Sequence, residues 1–233
     1  MTSIDSLETF PALAGIDGLS HGFVLRDPHT DVDSNDREKV LRRLQPYYRR
    51  TLARQGADFD QIALAEQVHG DGVAVIDGDA GDRDVAVAEG MDGLVTATPG
   101  LTLGIYVADC CAVFLVDPNR RACGLVHSGR RGSELGIALA AIKRMKTSYG
   151  SEPSDIRVVL SPCIRPPAYE VDIAAMIRRD CAAAGVPASQ IHDAGTDTSA
   201  DLERYYSYRQ EKGHTGRMLA FVAWRQEAEN ESP

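Results

Sequence analysis

Asp109 and Cys110 sit side by side near the middle of residues 101 to 116, a run that is otherwise almost wholly apolar. A carboxylate and a thiol inside such a run ask for a reason, because an unpaired buried charge costs several kcal/mol or is neutralised. His69 and His127 each end an apolar run and are followed at once by small residues. Two imidazoles and a thiolate make a three-ligand zinc set with one position open, the arrangement of catalytic zinc. Asp109 beside them is a candidate for orienting a ligand imidazole or for moving a proton. Cys111 competes with Cys110 for the ligand role, and adjacent strand residues face opposite sides, so one of the two points into any given site.

A second constellation is His127-Ser-Gly-Arg-Arg-Gly-Ser133, a strand end, a glycine-punctuated turn and an expected helix start. Helix N-termini attract anions, and the guanidinium groups of Arg130 and Arg131 suit phosphate or carboxylate. The bland alternative is a helix entry with two solvent-facing arginines. His21, His29, His192 and His214 show no context beyond surface polarity. Cys123 and Cys181 look like packing residues, and Cys163, in an irregular Pro-rich loop, is a candidate to line a pocket.

The elements that must position these groups follow from periodicity. Helical spacing of Val40, Leu41, Leu44, Tyr48 and Leu52 predicts a helix over 35 to 55, capped by Ser34 or Asn35, with Pro46 kinking or dividing it. Residues 62 to 68 and 73 to 76 read as strands joined by a hairpin at His69-Gly-Asp-Gly. Residues 78 to 90 read as a surface loop and 93 to 96 as a short strand. The run from 101 to 116 is too long for one strand, which predicts a bend or bulge at 108 to 110. Residues 122 to 127 return as a strand, followed by a helix from Ser133 to Tyr149 that Gly150 ends. A strand at 156 to 160, a helix from Asp172 through Cys181, a third helix at 201 to 211 and a strand at 218 to 224 complete the pattern. Helices and strands interleave without a regular rhythm, which predicts a mixed α+β fold in a single domain over 1 to 233, with 226 to 233 a frayed tail.

Composition narrows the function. The chain has 233 residues, 43% hydrophobic and 25% charged, with a net charge of −9 that argues against broad nucleic-acid or anionic-membrane binding. Five cysteines make an odd count with no paired framework, so reduced thiols and a cytoplasmic location are expected. The opening Met-Thr-Ser-Ile-Asp-Ser-Leu-Glu lacks the basic and apolar segments of a signal peptide, and no apolar run is long enough to span a bilayer.

In this setting the sequence resembles the laccase-domain family, also described as polyphenol oxidase or YfiH-like purine nucleoside phosphorylase. The matching pieces are Glu-Gln-Val-His-Gly (66 to 70), Asp-Gly-Leu-Val-Thr (92 to 96), Ala-Asp-Cys (108 to 110), Val-His-Ser-Gly-Arg-Arg-Gly (126 to 132), Pro-Cys-Ile (162 to 164) and Tyr-Glu-Val (169 to 171). Tyr-Tyr-Ser-Tyr-Arg (205 to 209) and Thr-Gly-Arg (215 to 217) match near the end. The resemblance implies mixed sheets with flanking helices, akin to the cytotoxic-necrotizing-factor catalytic fold. It implies metal ligation by His69, Cys110 and His127, with Cys110 rather than Cys111 at the family position. It also implies zinc-dependent phosphorolysis of adenosine, inosine, guanosine or methylthioadenosine, with adenosine deamination. The small-molecule partners are then a nucleoside and phosphate, with Arg131, Arg26 and Arg209 as candidate binders. Arg130 stands where the family usually has Trp, and Arg26-Asp-Pro-His-Thr replaces a glycine- and serine-rich loop.

Four rivals remain at this point. Peptidoglycan-precursor editing is linked to some relatives. A metal-free hydrolase would use Cys110 as nucleophile and His127 as base. A copper oxidase is less favoured, since multicopper chemistry wants more imidazoles than six scattered histidines supply. A non-catalytic nucleoside-binding protein is the fourth.

Overall fold

The computed structural model describes residues 6–78 and 86–226, and shows two six-stranded mixed sheets with five helices. The strands are β1 (Leu7–Glu8), β2 (Leu19–Val24), β3 (Ile62–Ala65), β4 (Val73–Val75), β5 (Ala86–Ala88), β6 (Gly93–Thr96), β7 (Thr102–Val107), β8 (Cys111–Asp117), β9 (Ala122–Ser128), β10 (Arg157–Leu160), β11 (Ile191–Asp193) and β12 (Met218–Trp224). The helices are α1 (Pro11–Ala14), α2 (Arg37–Ala53), α3 (Arg130–Leu135), α4 (Ile137–Tyr149) and α5 (Ile173–Ala183). The first sheet runs β1-β2-β12-β7-β3-β5 and the second β11-β10-β8-β9-β6-β4. The expected α+β class is the observed one.

The apolar run at 101 to 116 resolves into β7 of the first sheet and β8 of the second, and the chain changes sheets across Ala108-Asp109-Cys110. The predicted bend is therefore a crossing between sheets. Both strands are buried at every position because each has cover on two faces. Along β8 the side chains alternate between cores: Ala112, Phe114 and Val116 join one apolar cluster, Cys111, Val113 and Leu115 the other. The first cluster packs the sheets on each other, with Phe10 edge-on to Phe114 and α2 seated through Tyr48 against Tyr106. The second lies under α4 and α5.

Several expectations need correction. Residues 62 to 76 form no hairpin: β3 and β4 belong to different sheets, so His69 lies on a second crossing. Neither Gly70 nor Gly72 takes a left-handed φ; a Cβ at Gly72 would instead lie 3.1 Å from the Gly90 carbonyl oxygen. Residues 86 to 88, expected in a loop, pair in parallel with β3. Residues 79 to 85, and the tail beyond Gln226, lie outside the described residues. Pro46 does not divide α2, because it faces solvent, where water can satisfy the carbonyl its ring leaves without a donor. The cap is Asp36, accepting from the Lys39 amide, rather than Ser34 or Asn35. The helix expected from Ser133 is two helices, since Gly136 adopts a left-handed φ of 78° between them. Ser133 does not cap α4 but shares a hydrogen bond with Ser128. Residues 201 to 211 form turns instead of a helix, because the Tyr206 amide is taken by Met218 and Ser207 and the Arg209 amide by Asp109. Among the described residues no helix is long and apolar enough to cross a membrane.

His21 is not at the surface as expected but buried on β2, where Nε2 accepts the Phe10 amide at 3.0 Å. Burial pushes its pKa down to about 4 from 6.5. The unfolded chain takes up this proton near pH 6.5, the folded one not until about pH 4. Stability from this site is thus complete above pH 6.5 and falls between there and pH 4, by up to about 3 kcal/mol. Urea unfolding across that window should show the fall, and His21→Asn should flatten it; an unchanged slope in the variant would contradict this assignment.

Candidate metal centre

The crossing at 66 to 72, the crossing at 108 to 110 and the end of β9 meet at one place. His69, Cys110 and His127 converge there with ligand atoms all within 4.8 Å of one another. Among the described residues this is the one group of three or more His, Cys, Asp or Glu side chains that could hold a metal ion. The two imidazoles stand edge to face, with ring centroids 4.8 Å apart. Cys111 points the other way into the second core, as alternation along a strand requires, and Cys163 is buried beside it rather than lining the cavity.

A residue that the sequence reading left without a role organises the group. Asp92, wholly buried at the entry to β6, accepts from the amides of Val68 at 3.0 Å, His69 at 2.9 Å and Gly70 at 2.7 Å. The same carboxylate meets His127 Nδ1 at 2.8 Å. That contact places the Nδ1 proton toward Asp92 and leaves Nε2 for an ion. Burial would raise the Asp92 pKa, but His127 and the Gly70 and His69 amides overcome it and hold the carboxyl below its ordinary range. Asp92 opens the family-like piece Asp-Gly-Leu-Val-Thr, the one signal that marks it; by residue type alone it is an acid at a strand entry.

Strain concentrates at the same place. Gln67, His69 and Asp109 adopt φ of 68°, 62° and 78°, the left-handed region that non-glycine residues enter at a cost of about 1 kcal/mol or more. Each is held by buried bonds. Gln67 uses its side-chain amide to engage both backbone groups of Tyr106, extending the β3–β7 pairing by a side chain. Asp109 accepts from Thr198 Oγ1 at 2.8 Å, Ser207 Oγ at 3.0 Å and the Arg209 amide at 2.7 Å. Asp109 thus fastens the 198 to 209 segment; the carboxylate on the imidazole is Asp92. Burial, only partly opposed by those bonds, leaves the Asp109 pKa raised.

The donor set suits a metal cation. Burial would raise the Cys110 thiol, but His127 and His69 outweigh it and bring the pKa down to about 6. Burial would lower His127, yet Cys110 and Asp92 raise it to about 9. The sulfur is thus poised as the thiolate that a metal binds, and the imidazolium proton is what an ion would displace. Gly129 closes the cradle, since a Cβ there would lie 2.8 Å from Cys110 Sγ and 3.4 Å from His69 Cδ2.

The group opens into a cavity of about 750 Å³. Asp109, Tyr169, Tyr208 and Arg209 line it, as do Arg37 and Arg217. Arg131 is exposed and not among the lining residues, its place in the wall taken by Arg130. The expected helix N-terminus after Gly132 is absent too, since α3 begins at Arg130 and has six residues. Arg26 is likewise outside the lining, paired with Glu211 at 2.7 Å and stacked 4.7 Å over Tyr206.

The comparisons with known proteins bear on this geometry. A family model described as multi-copper polyphenol oxidoreductase laccase matches residues 29–176 and 170–225. Purine nucleoside phosphorylase YlmD of Geobacillus stearothermophilus is 32% identical over 244 residues, spanning 90% of this chain and 84% of that protein. A purine nucleoside phosphorylase of Deinococcus radiodurans is 31% identical over 226 residues, spanning 86% and 85%. The crystal structure of the Geobacillus YlmD superposes with a TM-score of 0.78 at 28% identity, over 93% of this chain and 94% of that one.

Asp92→Asn is expected to weaken metal-ion binding at this group by about 10–100-fold with the circular dichroism unchanged, read by chelator competition with zinc as the probe. An affinity within twofold of wild type would remove Asp92 from the centre. Because His127 keeps its proton to about pH 9 and Cys110 to about pH 6, affinity should climb with pH between those values and level off above. A flat profile over that range would contradict the proton linkage.

Proposed function

This chain belongs to the multi-copper polyphenol oxidoreductase laccase family, and we propose that it is a zinc-dependent enzyme of purine nucleosides. The reaction would be phosphorolysis of adenosine, inosine, guanosine or methylthioadenosine, with adenosine deamination as a second activity. The observation that carries this reading is the convergence of His69, Cys110 and His127 at a cavity of about 750 Å³, within the range of small-molecule sites. Relatives named purine nucleoside phosphorylase, matched over most of their length, support the substrate class.

In phosphorolysis a phosphate oxygen bonds to ribose C1′ while the bond from C1′ to the purine nitrogen breaks, and the base leaves with its electron pair. Zinc held by His69, Cys110 and His127 would supply Lewis-acid polarisation of an oxygen in the site. The cationic wall, including Arg130 and Arg209, draws the phosphate in. Tyr169 and Tyr208 offer ring faces for a base. Asp109 positions the segment that carries Tyr208 and Arg209. The single three-ligand group among the described residues supports one ion, whereas multicopper oxidation needs several clustered imidazoles, so copper is less favoured.

A second reading has a specific observation behind it. Cys110, His127 and Asp92 stand in the order nucleophile, base and orienting carboxylate, which would suit a metal-free hydrolase.

Zinc-loaded protein given adenosine or inosine should release base and ribose 1-phosphate only when phosphate is present. Cys110→Ala should lose activity by about a hundredfold or more, and chelation should abolish turnover until zinc is restored. No turnover of either nucleoside would overturn the substrate assignment. Activity that survives chelation but not Cys110→Ala would favour the hydrolase.

A further inference from the structure

The cavity wall carries an excess of positive charge in a chain whose net charge is −9. Its cations are Arg37, Arg130, Arg209, Lys212 and Arg217, against the single carboxylate of Asp109, already engaged by Thr198, Ser207 and the Arg209 amide. Glu170, just outside the lining, answers two of them, at 3.3 Å from Arg130 and 3.8 Å from Arg209. Arg37, Arg217 and Lys212 are left. Arg37 meets only its chain neighbour Glu38, at 3.4 Å, and that carboxylate is largely exposed and worth little. Among the described residues Arg217 and Lys212 have no carboxylate partner.

Both guanidinium groups are held in place by uncharged acceptors. Arg37, at the first position of α2, donates to Gln67 Oε1 at 3.3 Å and lies 6.0 Å from the Tyr106 ring centre. Gln67 is itself pinned to the Tyr106 backbone. Arg217, at the entry to β12, donates Nη1 to Thr215 O at 3.2 Å and Gly216 O at 2.8 Å, with its Cζ 5.7 Å from the Tyr208 ring centre. Burial first, and then the charge of Arg37, depress the Arg217 pKa. Two like charges fixed from different elements toward one cavity repel, the Cys110 sulfur offsets this only in part, and an anion between them would relieve it. Guanidinium pairs match the oxygens of phosphate by geometry as well as by charge.

We infer that Arg37, Arg217 and Lys212 form a subsite for a phosphate dianion in the cavity that holds the His69–Cys110–His127 group. The phosphate is either the inorganic ion or the 5′-phosphate of a nucleotide, two sources with the same chemistry. For turnover this inference rests on the nucleoside reading above; for binding it does not. It relocates anion recognition from Arg131 and α3 to the junction of α2 and β12.

The test is calorimetric titration of the zinc-loaded full chain with inorganic phosphate, adenosine 5′-monophosphate and adenosine. Wild type should bind phosphate, and Arg37→Met and Arg217→Met should each weaken binding by about tenfold or more, with a clearly smaller loss for adenosine. Arg37→Met guards against misfolding of the more buried Arg217 variant, and Arg37→Lys should recover part of the loss. Loss confined to the inorganic ion identifies a co-substrate site, and loss confined to the nucleotide an ester site. Unchanged affinity for both in both variants, or equal losses for adenosine and phosphate, would overturn the subsite. Should no nucleoside be turned over while the variants still lose phosphate binding, the nucleoside reading falls and the subsite stands.

Discussion

A single buried carboxylate, Asp92, holds the candidate centre together. Its two oxygens take three consecutive amides of the 68 to 70 turn and one imidazole nitrogen. A charge in that position without partners would cost several kcal/mol. With four donors around it the carboxylate becomes the fixed point for two ligands at once: it stabilises the left-handed backbone of His69 and selects the tautomer of His127. The third ligand, Cys110, comes under the same field through His127, which draws the thiol toward its thiolate. Loss of one group would therefore loosen a turn, an imidazole and a sulfur together.

Asp109 does for the cavity what Asp92 does for the ligands. It sits where the chain leaves β7 for β8, and ties the 198 to 209 segment to the crossing. Both carboxylates thus stand at or beside points where the backbone changes sheets. Strand pairing cannot satisfy the amides there, so side chains must. The strain at Gln67, His69 and Asp109 belongs to the same geometry: three left-handed residues are tolerated because each is over-determined by buried bonds.

The convergent His-Cys-His group was legible in the sequence because a thiol and two imidazoles at the ends of apolar runs stand out by residue type. The bend at 108 to 110 was legible because sixteen largely apolar residues with one acid exceed a strand. Helix α2 and strand β12 were legible from periodicity alone. What escaped was non-local. Ile62–Ala65 and Val73–Val75 look like hairpin partners until long-range pairing puts them in separate sheets. Residues 201 to 211 carry a capping acid and helical spacing, yet their donors are drawn away to Asp109 and Met218. Asp92 gave no local sign of its four partners. Arg131 and Arg217 are both arginines in family-like motifs, and only the fold decides that one meets solvent and the other the cavity.

The most direct test of the account is X-ray absorption at the zinc edge of the purified, zinc-loaded chain. The account predicts a first shell containing one sulfur and two imidazole nitrogens, with the sulfur lost in a Cys110→Ser sample. A shell of nitrogen and oxygen alone in the wild-type protein, or a sulfur signal that persists in the variant, would contradict it.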